Sequence, residues 1–357
     1  MIQSNTAWLY GGGCSESTLT NCLISSNNCP GYSYNSEGGG LFDSVAVGCL
    51  ISNNTAYFSG GGASQSFLDR CTVIANFAPF FLSGGGGGTK ECIVNNSIIR
   101  SNSAYGASGG VLNNSTVTHN SGGTYNVIWA NNSIVYYNSG TNTVFVNAID
   151  YWSGCCTPDL LGPANFTNAP LFVNANGGDF HLSSNSPCIN AGNNSYYIWG
   201  YGGHPLGNSD FDGNARVSGG TADAGAYEFQ SPVSRISYVW LGRYGLLPSG
   251  SIDVADPDLD GMSNYKEWIS GTDPTNSSSL LKMLPLSRTN TASGVLVQWQ
   301  SAYQKTYFLE RAVDLSATGG FSLIQSNVFS SQDGIMSYID RSATNQGPYF
   351  YRVGVQN

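Results

Sequence analysis

The acidic residues between 256 and 267 have the most chemically specific spacing in the chain. They read Asp256-Pro-Asp258-Leu-Asp260-Gly261-Met262-Ser-Asn264-Tyr-Lys-Glu267. Counted from Asp256, carboxylates stand at positions 1, 3, 5 and 12, an amide at 9 and a glycine at 6. A hard cation such as calcium takes six to eight oxygens, and this spacing wraps a short loop around one. Asp256, Asp258 and Asp260, the Met262 carbonyl, Asn264 directly or through water, and a bidentate Glu267 would supply the oxygens. Gly261 permits the sharp turn. Calcium is therefore the expected cofactor.

Elsewhere ionisable groups are scarce. Only 10% of residues are charged. Residues 1–149 offer Glu16, Glu37, Asp43, Asp69, Arg70, Lys90, Glu91 and Arg100. A glycosidase needs two carboxylates roughly 5–10 Å apart across the scissile bond. A polysaccharide lyase needs a base beside acidic ligands. Asp69-Arg70 and Lys90-Glu91 are single local pairs and read as solvated, so no catalytic residue is expected. The net charge of −9 comes without clustered Lys and Arg. That excludes a nucleic-acid partner, because phosphate contacts need such clusters. No apolar run approaches the ~20 residues of a membrane span. The nine cysteines all lie between Cys14 and Cys188. The odd count leaves at least one thiol unpaired in a monomer, the expected state. A disulfide from Cys155 or Cys156 to Cys188 stays open.

These residues must be positioned by a repeat. The segments beginning Asn21-Cys22, Gly48-Cys49, Arg70-Cys71, Asn96-Ser97, Asn114-Ser115 and Asn132-Ser133 align without gaps. One column reads Cys22, Cys49, Cys71, Ser97, Ser115, Ser133. Two residues on it reads Ile24, Ile51, Val73, Ile99, Val117, Val135. Three further on it is always Asn: Asn27, Asn54, Asn76, Asn102, Asn120, Asn138. The spacings are 27, 22, 26, 18 and 18 residues. Short β-prone runs at such intervals predict an all-β, right-handed parallel β-helix, one coil per copy. Residues at i and i+2 share a strand face, so the first two columns point inward. The Asn column is expected at a bend, bonding turn backbone and the Asn above and below it. Gly runs at 11–13, 38–40, 60–62, 84–88 and 109–110 precede most copies.

The next two columns read outward. They are Ser25, Ser52, Ile74, Arg100, Thr118, Tyr136 and Ser26, Asn53, Ala75, Ser101, His119, Tyr137. Arg100, His119, Tyr136 and Tyr137 form an expected shallow sugar-binding strip. The free cysteines of the ladder, Cys22, Cys49 and Cys71, are expected as buried thiols. Ile2 and Asn5 fall on the Ile and Asn columns one coil early. The chain is thus expected to be the C-terminal part of a longer protein, with a signal peptide and further coils upstream.

Past residue 150 the repeat degrades. Residues 169–194, with Ser186-Pro-Cys188-Ile-Asn-Ala-Gly192, are followed by Asp210-Phe-Asp212-Gly-Asn-Ala-Arg216 and Asp223-Ala-Gly-Ala-Tyr-Glu-Phe229. This stretch resembles the terminal segment of secreted bacterial β-helix proteins of the pectin-lyase-like superfamily, of the choice-of-anchor Q type. The resemblance implies the last coils and closing edge of the helix at about 150–230. Asp210, Asp212 and Asp223 are expected to make turns and cap backbone. The loop at 256–267 matches the EF-hand pattern, with residues 236–246 as the expected entering helix and 264–269 as the exiting one. Through Pro274 it also resembles dockerin and thrombospondin type 3 calcium repeats, though with one full loop where dockerins have two. Strand-like runs at 295–300, 306–312, 321–324, 336–340 and 348–355 resemble a short fibronectin type III domain.

The expected organisation is a β-helix at 1–230, a calcium-binding segment at 231–279 and a small β-sandwich at 280–357. The expected function is a non-catalytic module, secreted or at the cell surface, structural, adhesive or glycan-binding. The alternative is the C-terminal part of a polysaccharide lyase or glycoside hydrolase whose active site lies in upstream coils.

Overall fold

A computed structural model describes the chain except residues 32–35, 80–84, 147–150, 160–161, 163, 196–207, 289–293, 317–319, 345–346 and 357. Gly84 and Asp150, used above as repeat landmarks, lie outside the described residues. The chain divides into two compact units, Met1–Arg243 and Tyr244–Asn357. No helix among the described residues is long and apolar enough to cross a membrane.

The first unit is a parallel β-helix. Its described residues form three seven-stranded sheets. One holds the aligned columns, running from Ile2–Gln3 through Leu23–Ser25, Leu50–Ser52, Thr72–Ile74, Ile98–Arg100 and Thr116–Thr118 to Ile134–Tyr136. Its register pairs Ile24 with Ile51, Val73 with Ile99 and Val117 with Val135, as the columns require. The second sheet runs from Cys14–Ser15 to Thr143–Val144, the third from Thr18–Thr20 to Tyr151–Ser153. Most strands are two or three residues long, so each sends about one side chain inward. The core is therefore a set of ladders, including Ile24, Ile51, Val73, Ile99, Val117 and Val135, all fully buried.

Polar ladders close the corners. Asn76 shows the pattern. Its backbone N–H and its Nδ2 both donate to Asn102 Oδ1, at 2.9 and 3.0 Å. Nδ2 also donates to the Ile51 carbonyl at 2.9 Å. Asn76 Oδ1 accepts the same pair of bonds from Asn54. The stack runs from Asn5 to Asn142, so bend backbone that would be orphaned inside the coil is satisfied. A second ladder uses the Cys/Ser column: the Cys71 N–H donates to Ser97 Oγ, and Cys49 N–H to Cys71 Sγ. All nine cysteines are free thiols. Burial pushes the thiols of Cys92 and Cys155 up to about 12, so they act as small apolar groups.

The second outward column faces out as read, with Ser26, Asn53, Ala75, Ser101 and Tyr137 exposed, whereas Ser25, Ser52 and Thr118 of the first are buried; the second is also where the chain turns. Ser26, Asn53, Ala75, Ser101, His119 and Tyr137 all have φ between 54° and 58°. They are left-handed corners, not strand residues. None is β-branched, the class that tolerates positive φ least. Turning this sharply between strands of three residues demands the conformation.

The expected coils at 150–230 also differ. Parallel bridges carry the first sheet on from Ile134 to Cys156 and from Cys156 to Phe166, and after these the chain folds back over that sheet. Phe172–Asn174 and Asp179–Leu182 pair antiparallel. Phe180, Ala226 and Tyr227 cover Ile98, and the Ala226 N–H donates to Thr116 Oγ1 at 3.1 Å. The cause is burial of outward apolar side chains. Ile134 is fully buried here, whereas Leu50, its counterpart four coils earlier, is 41% exposed.

The second unit holds two three-stranded antiparallel sheets. Val297, Trp299, Tyr307 and Leu309 are buried between them. The helix Asn264–Ser270 joins this unit, and Lys305 Nζ donates to its Trp268 carbonyl at 3.4 Å.

Replacing Asn76 by Ala is expected to destabilise the first unit by about 3 kcal/mol, because several buried bend groups lose partners at once. Ser26→Ala, at an exposed corner, is expected to stay within ~0.5 kcal/mol. Denaturant midpoints of the two variants check this; equal shifts would contradict the ladder.

Candidate metal centre

The loop at 256–267 is closed by the Asn264 N–H donating to the Ala255 carbonyl at 2.8 Å. Its entering element is a short 3-10 turn, Ile252–Val254, and its exiting element the helix Asn264–Ser270. The helix expected at 236–246 exists as Tyr238–Arg243 but belongs to the first unit, where Tyr238 N–H bonds the Ile189 carbonyl. The helical pattern there was sound; its assignment to the loop was not.

Inside the loop each acidic side chain spends one oxygen on local structure. Asp256 Oδ2 accepts the Gly261 N–H at 2.9 Å. Asp258 Oδ1 accepts from Asp260 N–H, and Asp260 Oδ1 from Met262 N–H at 2.7 Å. Glu267 Oε1 accepts from the Thr272 hydroxyl, and Asn264 Nδ2 donates to the Ile252 carbonyl. The remaining oxygens, Asp256 Oδ1, Asp258 Oδ2, Asp260 Oδ2, Asn264 Oδ1 and Glu267 Oε2, are buried without any hydrogen-bond partner. These are loop positions 1, 3, 5, 9 and 12. One ligand atom from each of the three Asp residues lies within 4.8 Å of the others. Gly261 has φ +92°, as its place in the turn requires. Burial, then the charges of Asp258 and Asp260, push the Glu267 carboxyl up to about 7. The donor set, all hard oxygen, fits a calcium ion.

The expected sugar strip assembles differently. Arg100, His119, Tyr136 and Tyr137 lie close together, with the Tyr136 and Tyr137 rings 4.8 Å apart. They face the folded-back segment. The Arg100 guanidinium lies 5.9 Å from the Phe180 ring centre, His119 5.8 Å from Phe180, and Tyr137 6.2 Å from Phe172. Tyr136 Oη donates to the Thr167 carbonyl. Burial, then Arg100, lowers the His119 pKa.

Two clusters escaped the sequence reading. The first is a buried clasp. Arg216 donates to the carbonyls of Ala226 and Asp223 and lies 3.4 Å from Glu228 Oε2. Glu228 accepts from the Ser218 and Asp223 N–H groups, and Asp223 from those of Asn190 and Phe229. Asp210 accepts from Asn214 and Glu228 N–H groups. Asp210 and Asp223 thus cap backbone. Burial pushes Asp223 up to about 7 and Glu228 to about 9. The second cluster is His181, whose Nδ1 and Nε2 sit 2.6 Å from Asp179 and 2.8 Å from Asp212. The i, i+2 spacing of Asp179 and His181 on one strand face was the available signal; Asp212 comes from a distant turn.

Sheet pairing makes this chain a parallel β-helix protein, and its second unit carries an acidic loop. No protein-family model matches the chain, and no curated protein matches it. Among solved structures it is similar to a crystal structure of pectate lyase Pel9A, at 16% sequence identity and a TM-score of 0.35. The match covers 64% of this chain and 63% of that one, so the chain spans less than two thirds of its length.

The His181 bridge carries a pH dependence. Burial against Tyr227 opposes protonation, but Asp212 and Asp179 outweigh it and raise the pKa above 6.5. A raised folded pKa stabilises fully below the unfolded value, and the contribution is lost as pH rises through the folded value. An NMR titration is expected to place the His181 midpoint above 6.5, with Asp212→Asn lowering it. A midpoint at or below 6.5 would contradict the bridge.

Proposed function

We propose that the chain is a non-catalytic β-helix module of a secreted or cell-surface protein, structural, adhesive or glycan-binding, whose second unit is locked by one calcium ion. The observation that carries the calcium reading is the convergence of five buried, partnerless side-chain oxygens at the five side-chain ligand positions of the loop. Buried polar atoms are paired almost everywhere in proteins, and an exception calls for a partner. Here a cation satisfies all five together. Asp256, Asp258, Asp260, Asn264 and Glu267 would hold it, with the Met262 carbonyl completing the set. The ion supplies positive charge to a cluster of four carboxylates. The chain's own part is to hold these oxygens in place through Gly261, Met262, Thr272 and the Ile252 carbonyl.

The coil surface supports a non-catalytic role. Asp69 and Lys90 pair with their neighbours Arg70 and Glu91. Glu37 accepts a bond from Ser64 Oγ. Arg100 packs on Phe180. Glu37 also lies near Glu91, whose charge adds to burial in raising its pKa, while the Ser64 bond and Lys90 oppose the rise.

Calorimetry on the full chain is expected to show one calcium site with a Kd in the ~10⁻⁴–10⁻³ M range of extracellular modules. Asp260→Ala is expected to abolish it. Calcium at ten times Kd should stabilise the second unit by roughly 1.4 kcal/mol, seen as a raised melting temperature reversed by chelator. No heat at millimolar calcium would overturn the calcium reading. Release of unsaturated uronates or new reducing ends from polysaccharides would overturn the non-catalytic one.

A further inference from the structure

The coils change length midway along the helix. Asn76 and Asn102 are 26 residues apart, but Asn102 to Asn120 and Asn120 to Asn138 are 18 each. Phe77, Ala78 and Pro79 of the longer coil stand at the corner between the first and second sheets. The next three coils turn there directly. A groove of about 520 Å³ opens along this corner. Ligand pockets fall within roughly 300–1,000 Å³.

Phe77, Pro79, Ser103, Tyr105, Ser121 and Thr141 line it. They come from four successive coils, so the groove runs along the helix axis for about 14 Å at the ~4.8 Å spacing of paired strands. Phe77 is 49% exposed. The Tyr105 ring lies against Gly122, where a Cβ would come within 2.7 Å of it. The groove therefore offers two aromatic rings and a hydroxyl from nearly every coil. Ser103 Oγ accepts the Ala78 N–H at 2.9 Å, which leaves its own proton to donate outward. Asp, Glu, Lys, Arg and His are missing from the described lining. Strand edges are missing too, because the flanking strands pair coil to coil.

We propose that this groove binds a short neutral oligosaccharide lying along the helix axis. The proposal rests on the glycan-binding part of the reading above and moves the site from the Arg100 strip to this corner. Rings present apolar faces to the C–H face of a sugar, and hydroxyls match its polar rim. The missing charge disfavours uronates and phosphates, which need cationic partners. The missing strand edge removes the main-chain bonding by which extended peptides dock on sheets.

The test titrates the full chain with cellotetraose, xylotetraose, mannotetraose and laminaritetraose, using trigalacturonate as the acidic control. Each titration is run with calcium and with chelator. At least one neutral tetraose is expected to bind, equally in both conditions, since the groove lies in the first unit. Failure of the calcium reading is thereby separable from failure here. Phe77→Ala is expected to weaken binding about tenfold, or ~1.4 kcal/mol. Thr141→Trp, at an exposed lining position, is expected to abolish it by filling the groove. Tyr137→Ala, at the expected strip, should leave it unchanged. Circular dichroism checks that each variant folds, and Thr141→Trp decides if Phe77→Ala does not. Binding to none of the four neutral sugars, preference for trigalacturonate, or binding that survives Thr141→Trp would each overturn the proposal.

Discussion

A buried amide that bonds its own copy in the next coil holds the first unit together. A coil of three short strands has three tight corners, and every corner turns backbone groups away from the sheets. An unpaired buried group costs about 1–3 kcal/mol. The Asn column meets that demand by translation: each Oδ1 takes two N–H bonds from one neighbour, and each Nδ2 reaches a carbonyl and the next Oδ1. The arrangement works only if successive coils stay in register. It therefore fixes the strand pairing as well as the bend, and the Ile/Val ladder stacks because the Asn ladder does. Sheets that pair in this way need few charges, which fits the composition.

Freedom is left at the remaining parts of the corners. Coil length varies between 18 and 27 residues without disturbing the columns. Coils of different length meet beside Phe77, where the groove lies. The same logic governs the outer faces. Where outward residues are Ile98, Thr116 and Ile134, the chain returns to cover them. The clasp of Arg216, Glu228, Asp223 and Asp210 keeps that cover shaped, because its carboxylates cap N–H groups at Asn190, at Ser218 and at Glu228–Phe229, three separate stretches.

What could be read in the sequence divides by range. The coil register was legible because six copies repeat the same three columns, and the acidic cluster of the loop because its side chains lie within twelve residues. The outward column next to the Asn ladder was read as facing out, which it does, but its left-handed conformation was not legible. Residue type does not reveal φ at a position that accepts Ser, Asn, Ala, His and Tyr alike. The absence of β-branched residues from that column was the only clue. The folded-back segment was beyond reach, since its contacts join residues as far apart as Thr116 and Ala226. The helical run at 236–246 was recognised but given to the wrong neighbour, because periodicity says nothing of which body a helix packs on.

Ladder and loop are two answers to one problem, the buried oxygen. In the coils a side-chain oxygen finds its donors in the next copy, so Asn76 Oδ1 is satisfied by Asn54. The loop at 256–267 has no such copy beside it. Its carboxylates satisfy local N–H and O–H donors with one oxygen each and turn the other inward, where no donor waits. Four carboxylates in that position repel one another, and the pKa of Glu267 rises accordingly. More hydrogen bonds would not relieve the repulsion, whereas a divalent cation removes it and supplies the missing partner at once. Repetition satisfies the buried oxygens of the first unit without charge, whereas the loop of the second, with no copy beside it, concentrates four carboxylates.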